Sequence, residues 1–198
     1  MWISPTQLDE TVLRWVVANR SEPWISVAHV LSAIGGTLSL TIATVVVVVV
    51  LVMRRRIAEA VFLGGGALSG LLLMISLKRL FARPRPPVGD RLVVIDSYAF
   101  PSGHAMMTMI VFGLFAVTAY RCVGWVVGHR WVLLLAPLAS GLIGLSRIYL
   151  AVHWTTDVIA GWLFGAAWVL LCTWLLGVAT ESGRGAGRWD ARTDRNRR

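Results

Sequence analysis

Charge is scarce in this chain. Only 15% of its 198 residues are Asp, Glu, Lys or Arg, 57% are hydrophobic, and the mean hydropathy of +0.70 excludes an ordinary soluble domain of this size. Cysteine is scarcer still. Cys122 and Cys172 fall in or at the ends of apolar segments, so no disulfide framework is available and both read as small buried hydrophobes. The N-terminus lacks a basic region followed by a short apolar run, so no signal peptide is expected. Acids are outnumbered 10 to 19 by Lys and Arg, for a formal net charge of +9. Those bases form no stripe with interleaved aromatics, which argues against a nucleic-acid partner. They lie between apolar segments and in the C-terminal tail, as membrane topology demands.

What is present is a series of membrane-length apolar segments. The pattern predicts an all-α, polytopic transmembrane helix bundle with five clear spans: roughly residues 34–53, 57–77, 103–120, 131–145 and 154–178. The run Val45 to Val50 would signal a strand in water, but in lipid only a helix satisfies that backbone alone. Residues 1–33 mix Asp9, Glu10, Arg14, Arg20 and Glu22 with Leu13, Trp15, Val16 and Trp24, and read as an amphipathic helix on the membrane surface or a sixth span. Residues 179–198 form an Arg-rich tail expected to be disordered and cytoplasmic. If the spans alternate, Arg54 to Arg56, the Arg121 to Arg130 loop and the tail share one side, which the positive-inside rule assigns to the cytoplasm. Small residues at Gly64, Gly65, Gly66 and Gly70, and at Gly161 and Gly165, are expected to let helices approach closely. Trp131, Trp154 and Trp174 fall near span ends and fit interfacial belts.

Three polar clusters interrupt this apolar background: Lys78, Arg85 and Pro86; Pro101, Ser102, Gly103 and His104; and Ser146, Arg147, His153 and Asp157. With five alternating spans, all three fall on the outer face. Ser102 and Gly103 directly precede a span, so unpaired N–H groups and the positive end of a helix dipole mark an anion site. Lys78, Arg85 and Arg147 add three cations without matching acids, which calls for an anionic partner such as a phosphoryl group. Arg79, Arg83 and Arg91 are instead expected to anchor at lipid headgroups. His153 and Asp157, four residues apart, would share one helix face, the carboxylate fixing one ring nitrogen and leaving the other as a nucleophile toward phosphorus. His104 is placed to protonate the leaving oxygen and then activate water. His29 and His129 are expected to be structural. A divalent ion held by His104, His153 and Asp157 is the alternative chemistry, but the surrounding cations would repel it, so neither metal nor cofactor is expected.

These residues together resemble the signature of the type 2 phosphatidic acid phosphatase (PAP2) superfamily. Lys78 is followed after six residues by Arg85-Pro86, Pro101-Ser102-Gly103-His104 forms the second part, and Ser146-Arg147 leads after five residues to His153 and after three more to Asp157. The resemblance implies a metal-independent phosphatase. His153 would carry a phosphohistidine, His104 would be the acid and base, and Asp157 would orient. Lys78, Arg85, Ser102, Gly103 and Arg147 would bind phosphate. Membrane members have six spans with both termini inside; here the first is absent or reduced to the amphipathic start.

A phosphate site framed by lipid-embedded helices selects a lipid phosphate or diphosphate. Undecaprenyl diphosphate is the first expectation, because recycling that carrier needs an outward-facing phosphatase. Phosphatidylglycerophosphate, phosphatidic acid and lipid A phosphates are the alternatives. The loop from Pro87 to Phe100 and the aromatics Trp15 and Trp24 are expected to choose among them. A lipid phosphotransferase would use the same phosphohistidine, whereas a scaffold or transporter has no use for a His-Asp pair facing a second histidine.

Overall fold

The computed structural model describes residues 4–195, with side chains described as far as residue 178. Its helices are α1 (Gln7–Asn19), α2 (Glu22–Ile34), α3 (Thr37–Met53), α4 (Ile57–Phe81), α5 (Gly103–Cys122), the short α6 (Gly124–Gly128), α7 (Leu135–Tyr149) and α8 (Thr155–Arg195). One-turn 3-10 segments occupy Val88–Asp90 and Arg130–Leu134. No strand occurs among the described residues. Four stretches are long and apolar enough to cross a membrane: Ile57–Phe81, Gly103–Cys122, Arg130–Tyr149 and Thr155–Val178. The bent pair α2 and α3, 43° apart at the break, makes a fifth if taken together. The chain is thus a multi-pass membrane helix bundle, as its hydropathy predicts. Side chains of the basic tail, and residues 196–198 altogether, lie outside the described residues.

The N-terminal segment is more structured than a single amphipathic helix. Thr6 caps α1 reciprocally with Asp9: the Thr6 Oγ1 accepts from the Asp9 N–H at 3.2 Å, and Asp9 Oδ2 accepts from the Thr6 N–H at 3.0 Å. Val16 of α1 then packs with Ala105, Ile148 and Val158, so α1 docks on the bundle. Ser21 opens α2 with Pro23 in its first turn, where the missing N–H costs nothing.

Helix α5 is central and is flanked by α4, α7 and α8. Its closest neighbour is α8, and Gly161 and Gly165 explain why. A Cβ on Gly161 would come within 2.9 Å of the Ser102 carbonyl oxygen, and one on Gly165 within 2.8 Å of the Met106 carbonyl oxygen. The expected small-residue contact therefore exists, and it sets the start of α8 against the start of α5. Gly66 and Gly70 do the same for α4, against Leu114 and Ile110, whereas Gly65 meets nothing.

Helix α4 ends where Ala82 adopts φ +42° and its N–H closes on the Lys78 carbonyl; Pro84, Pro86 and Pro87 then bar further helix. The loop that follows returns through a cis Phe100–Pro101 bond to the start of α5. Between α7 and α8 the chain turns at Ala151, φ +54°. Val152 N–H reaches back to the Arg147 carbonyl at 3.2 Å. This turn carries His153.

Candidate active site

Lys78, Arg85, Gly103, His104, Arg147 and His153, gathered from three helices and two loops, line one cavity of about 640 Å³. Ser102 and Asp157 stand directly behind it, joined where the Ser102 N–H donates to the Asp157 carbonyl at 3.0 Å. All eight residues singled out in the sequence therefore meet at one place.

His153 does not sit on the helix with Asp157, as the spacing of four had suggested. It lies in the turn before α8, and Asp157 occupies the first helical turn. The carboxylate reaches back instead of along: Oδ2 accepts the Trp154 N–H at 3.0 Å, as an acid three residues into a helix does, and faces His153 Nδ1 at 3.4 Å. The tautomer follows from the partners. Nδ1 faces an acceptor, and Nε2 faces Arg85 Nη1 at 3.1 Å, a group that only donates. Nδ1 thus carries the proton and Nε2 the lone pair. Burial, and after it the charges of Arg85, Lys78, Arg147 and His104, hold the imidazole well below the ordinary histidine range, so it is neutral at neutral pH.

Lys78, Arg85 and Arg147 are held by carbonyl and hydroxyl oxygens rather than acids. Lys78 Nζ donates to the Tyr98 carbonyl at 2.7 Å. Arg85 is spread over the Ser97 carbonyl (2.6 Å), the Val152 carbonyl (2.6 Å) and Ser97 Oγ (3.0 Å). Burial first, opposed by Asp157 and aided by Arg91, lowers its guanidinium to about 10, still a cation at neutral pH. Carbonyls orient these groups without cancelling their charge. Arg147, 2% exposed, gives Nη1 to Ser32 Oγ, while its Nε and the hydroxyl of Ser102 are buried with no protein partner. Two orphaned buried polar groups beside cations fit an oxyanion. Gly103 leaves the start of α5 open, its nearest neighbours 3.6 Å from where a Cβ would stand. His104 Nε2 donates to the Ser32 carbonyl at 3.1 Å, since a carbonyl only accepts, which turns Nδ1 to the other side of the ring. Among the described residues no three His, Cys, Asp or Glu side chains are grouped to hold a metal ion.

Several readings of the sequence need correction. Arg83 is not a headgroup anchor; it is fully buried, donating Nη1 to Asp157 Oδ1 at 2.5 Å and Nη2 to Asp9 Oδ2 at 2.8 Å. Arg91 is tied to the Pro86 carbonyl at 2.6 Å, while Arg79 is exposed as expected. Trp154 is buried rather than interfacial, its indole N–H on the Pro84 carbonyl at 2.9 Å and its ring 5.8 Å from the Arg83 guanidinium carbon. Ile95 and Ser97 of the Pro87 to Phe100 loop line the cavity, but Trp15 and Trp24 are exposed outside its lining. Sequence reading also missed Asp9 and Ser32. The Thr6-x-x-Asp9 capping pattern was a usable signal for the first; nothing marked the second.

From the polar site the cavity continues as an apolar groove between α3 and α4, past Ile75, Leu71 and Leu68 to Gly64 on one side and past Val45, Val48 and Val49 on the other. Lys78 to Gly64 spans about 21 Å of helix, at ~1.5 Å per residue.

Similarities to known proteins fit this geometry. It overlays a crystal structure of a transmembrane PAP2-type phosphatidylglycerolphosphate phosphatase from Bacillus subtilis with a TM-score of 0.80 and 26% identity, covering 84% of this chain and 83% of that one. It is 36% identical over 95 residues to phosphatidylglycerophosphatase B of Bacillus subtilis, covering 48% of this chain and 46% of that protein. It is 38% identical over 72 residues to an undecaprenyl-diphosphatase of Sulfolobus acidocaldarius, covering 36% and 30% respectively. The matched stretches thus span less than half the length of these two curated relatives. The family model described as the PAP2 superfamily matches residues 59–181, a stretch that holds Lys78, Arg85, Gly103, His104, Arg147 and His153, and the chain belongs to that superfamily.

Proposed function

We propose that this protein is a membrane lipid phosphatase that works through a phosphohistidine on His153. One observation carries the reading: the unprotonated Nε2 of His153 faces a cation-lined, partner-poor end of a cavity whose other end is an apolar groove. That shape suits a phosphate head on a hydrocarbon tail, with the tail remaining among the helices during turnover.

In the first step His153 Nε2 attacks phosphorus. A P–N bond forms, the P–O bond to the lipid breaks, and His104, an imidazolium once the phosphate is bound, gives its Nδ1 proton to the departing oxygen while Nε2–H stays on the Ser32 carbonyl. Lys78, Arg85, Arg147 and the Ser102 hydroxyl hold the equatorial oxygens as charge develops there. In the second step His104 takes a proton from water, the water oxygen attacks phosphorus, and the P–N bond breaks to release inorganic phosphate. Asp157 holds Nδ1–H and stabilises the imidazolium phosphate between the steps. The four cations Lys78, Arg83, Arg85 and Arg147 exceed the carboxylates Asp9 and Asp157 by two charges, a match for a phosphomonoester dianion. No metal takes part in this scheme.

Undecaprenyl diphosphate is the substrate favoured by an outward-facing site. Phosphatidylglycerophosphate is the second reading, favoured by the likeness to the Bacillus subtilis phosphatase across 83% of that structure. We place the site on the extracytoplasmic face and the C-terminal tail in the cytoplasm, on the strength of Arg54 to Arg56 and the Arg121 to Arg130 loop. The test is phosphate release by purified protein from undecaprenyl diphosphate, phosphatidylglycerophosphate, phosphatidic acid and a lipid A phosphate, with and without chelator. Release from at least one lipid, unaffected by chelator, is expected; none from any would remove the reading. Transfer to an acceptor lipid without free phosphate would make it a phosphotransferase.

A further inference from the structure

Behind the catalytic wall lies a buried relay that starts in the N-terminal helix. Asp9 on α1 is 1% exposed and accepts from Thr6, from both the N–H and the hydroxyl of Thr156, and from Arg83. Arg83 sits between Asp9 and Asp157 and also donates to Thr156 Oγ1 at 2.8 Å and to the Ser4 carbonyl at 3.2 Å. All three charged side chains of the relay are shut off from solvent.

We propose that Asp9 and Arg83 are positioning residues for the reaction, acting through Asp157 to hold His153 in its attacking orientation. The inference rests on the phosphatase reading above. Its physical basis is the division of labour on Asp157. Oδ1 is claimed by Arg83, and Oδ2 serves the Trp154 N–H and His153 Nδ1. The contact to His153, at 3.4 Å, is at the long end for a hydrogen bond and is too weak to orient the carboxylate unaided. The carboxylate is therefore set by the Trp154 N–H on Oδ2 and, from behind, by Arg83 on Oδ1. Arg83 in turn needs Asp9, because a buried guanidinium forked between two acids keeps its angle, whereas one left with a single acid is drawn toward it and pulls Oδ1 away. Without Asp9, Asp157 rotates and Nδ1 loses its acceptor. Helix α1 is thus part of the catalytic unit although none of its side chains lines the cavity.

The test is a double-mutant cycle on the full chain in detergent, using the panel lipid that the wild type turns over fastest. Asp9→Asn is expected to lower kcat about 30-fold with KM within about 2-fold, because it disturbs the attacking group and not phosphate binding. In an Asp157→Asn background the same change is expected to lower kcat less than about 2-fold, since the residue it acts through is already disabled. Arg83→Lys should recover part of the kcat lost in Arg83→Met. Equal losses from Asp9→Asn in both backgrounds, or a loss confined to KM, overturn the proposal and leave the phosphatase reading standing. If Asp9→Asn is not recovered folded, the same cycle is run with Thr156→Val, which removes one hydroxyl shared by Asp9 and Arg83, and the same outcomes decide. A wild type inactive on the whole panel removes both.

Discussion

The backbone carbonyl of Ser32 accepts a hydrogen bond from His104 Nε2 at 3.1 Å, and the hydroxyl of the same residue takes one from Arg147. Two of the groups assigned to phosphate chemistry are thereby tied to one turn of α2. Ser32→Ala removes only the hydroxyl, leaving the carbonyl on His104. A hydrogen bond to a charged group contributes about 1.5 kcal/mol, so KM for the lipid phosphate is expected to rise about 10-fold with kcat within about 2-fold. Steady-state phosphate release checks this; an unchanged KM would detach Ser32 from the site.

The proposed covalent step makes a separate prediction. His153→Ala is expected to abolish turnover and phosphoenzyme formation alike. His104→Ala should lower kcat by roughly 10²–10⁴, the usual contribution of a general acid and base. It should also still incorporate label from a substrate with a good leaving group. Rapid quench with labelled substrate, at alkaline pH to preserve a P–N bond, separates the two. Label retained by a folded His153→Ala protein would exclude the nucleophile named here.

The acid limb of the pH profile follows from the environment of His153. In the proposed scheme the attacking form is the neutral imidazole, and burial beside cations holds its pKa well below the ordinary value. Protonation, and with it loss of activity, therefore sets in only as pH falls through that lowered value. The acid limb of kcat/KM, which reports the free enzyme, should lie below ~6.5, after correction for the substrate's own ionisation near ~6. A bound phosphate dianion opposes the cations and raises the value, so the limb in kcat should lie at higher pH than the limb in kcat/KM. A kcat/KM limb at or above the ordinary histidine value contradicts this.

These predictions trace back to different kinds of legibility. Lys78, Arg85, Ser102, His104, Arg147, His153 and Asp157 were readable because unpaired charge and imidazole are costly among apolar spans, and their spacing is rigid. The helical, multi-pass character was readable from hydropathy for the same reason. Arg83 was not, because a lone interfacial arginine looks the same whether it meets headgroups or a buried acid, and its partner Asp9 lies 74 residues earlier in a segment that reads as surface-bound. Ser32 contributes a carbonyl, which every residue has, and a single hydroxyl with no pattern around it, so nothing in the sequence marked it. The placement of His153 before α8 depends on the turn at Ala151, a left-handed alanine that composition does not announce.

Close packing of α8 on α5 yields a stability test. A methyl group on Gly161 would press on the Ser102 carbonyl and Met106 N, both backbone atoms that cannot swing aside. Gly161→Ala is expected to cost about 1–3 kcal/mol, and to reduce activity as Ser102 and Asp157 are pushed apart. Gly65→Ala, where nothing lies within 4 Å, should instead be stabilising by up to about 1 kcal/mol through helix propensity. Thermal unfolding in detergent, run on both variants together, gives the comparison. Equal behaviour would mean that the close approach at Gly161 is not under steric constraint.

If the proposed lipid substrate lays its tail in the groove between α3 and α4, the groove sets a length limit on that tail. At its far end a Cβ on Gly64 would stand 3.5 Å from Val48, an ordinary contact, so a larger side chain enters the groove without displacing backbone. Gly64→Leu should therefore fill the end of the groove and leave the phosphate site, about 21 Å away at ~1.5 Å per residue, intact. The tail arrives from lipid and not from water, so its exclusion costs packing and not the hydrophobic effect. A displaced tail end is worth about 1–2 kcal/mol, or roughly a 10-fold rise in KM. A short-chain analogue with the same phosphate head does not reach Gly64 and should keep its wild-type KM. Comparing dihexanoyl with dioleoyl phosphatidate, or the matching pair of whichever head group is turned over, reads the difference directly. Equal effects on both chain lengths would mean that the tail lies elsewhere on the helix bundle.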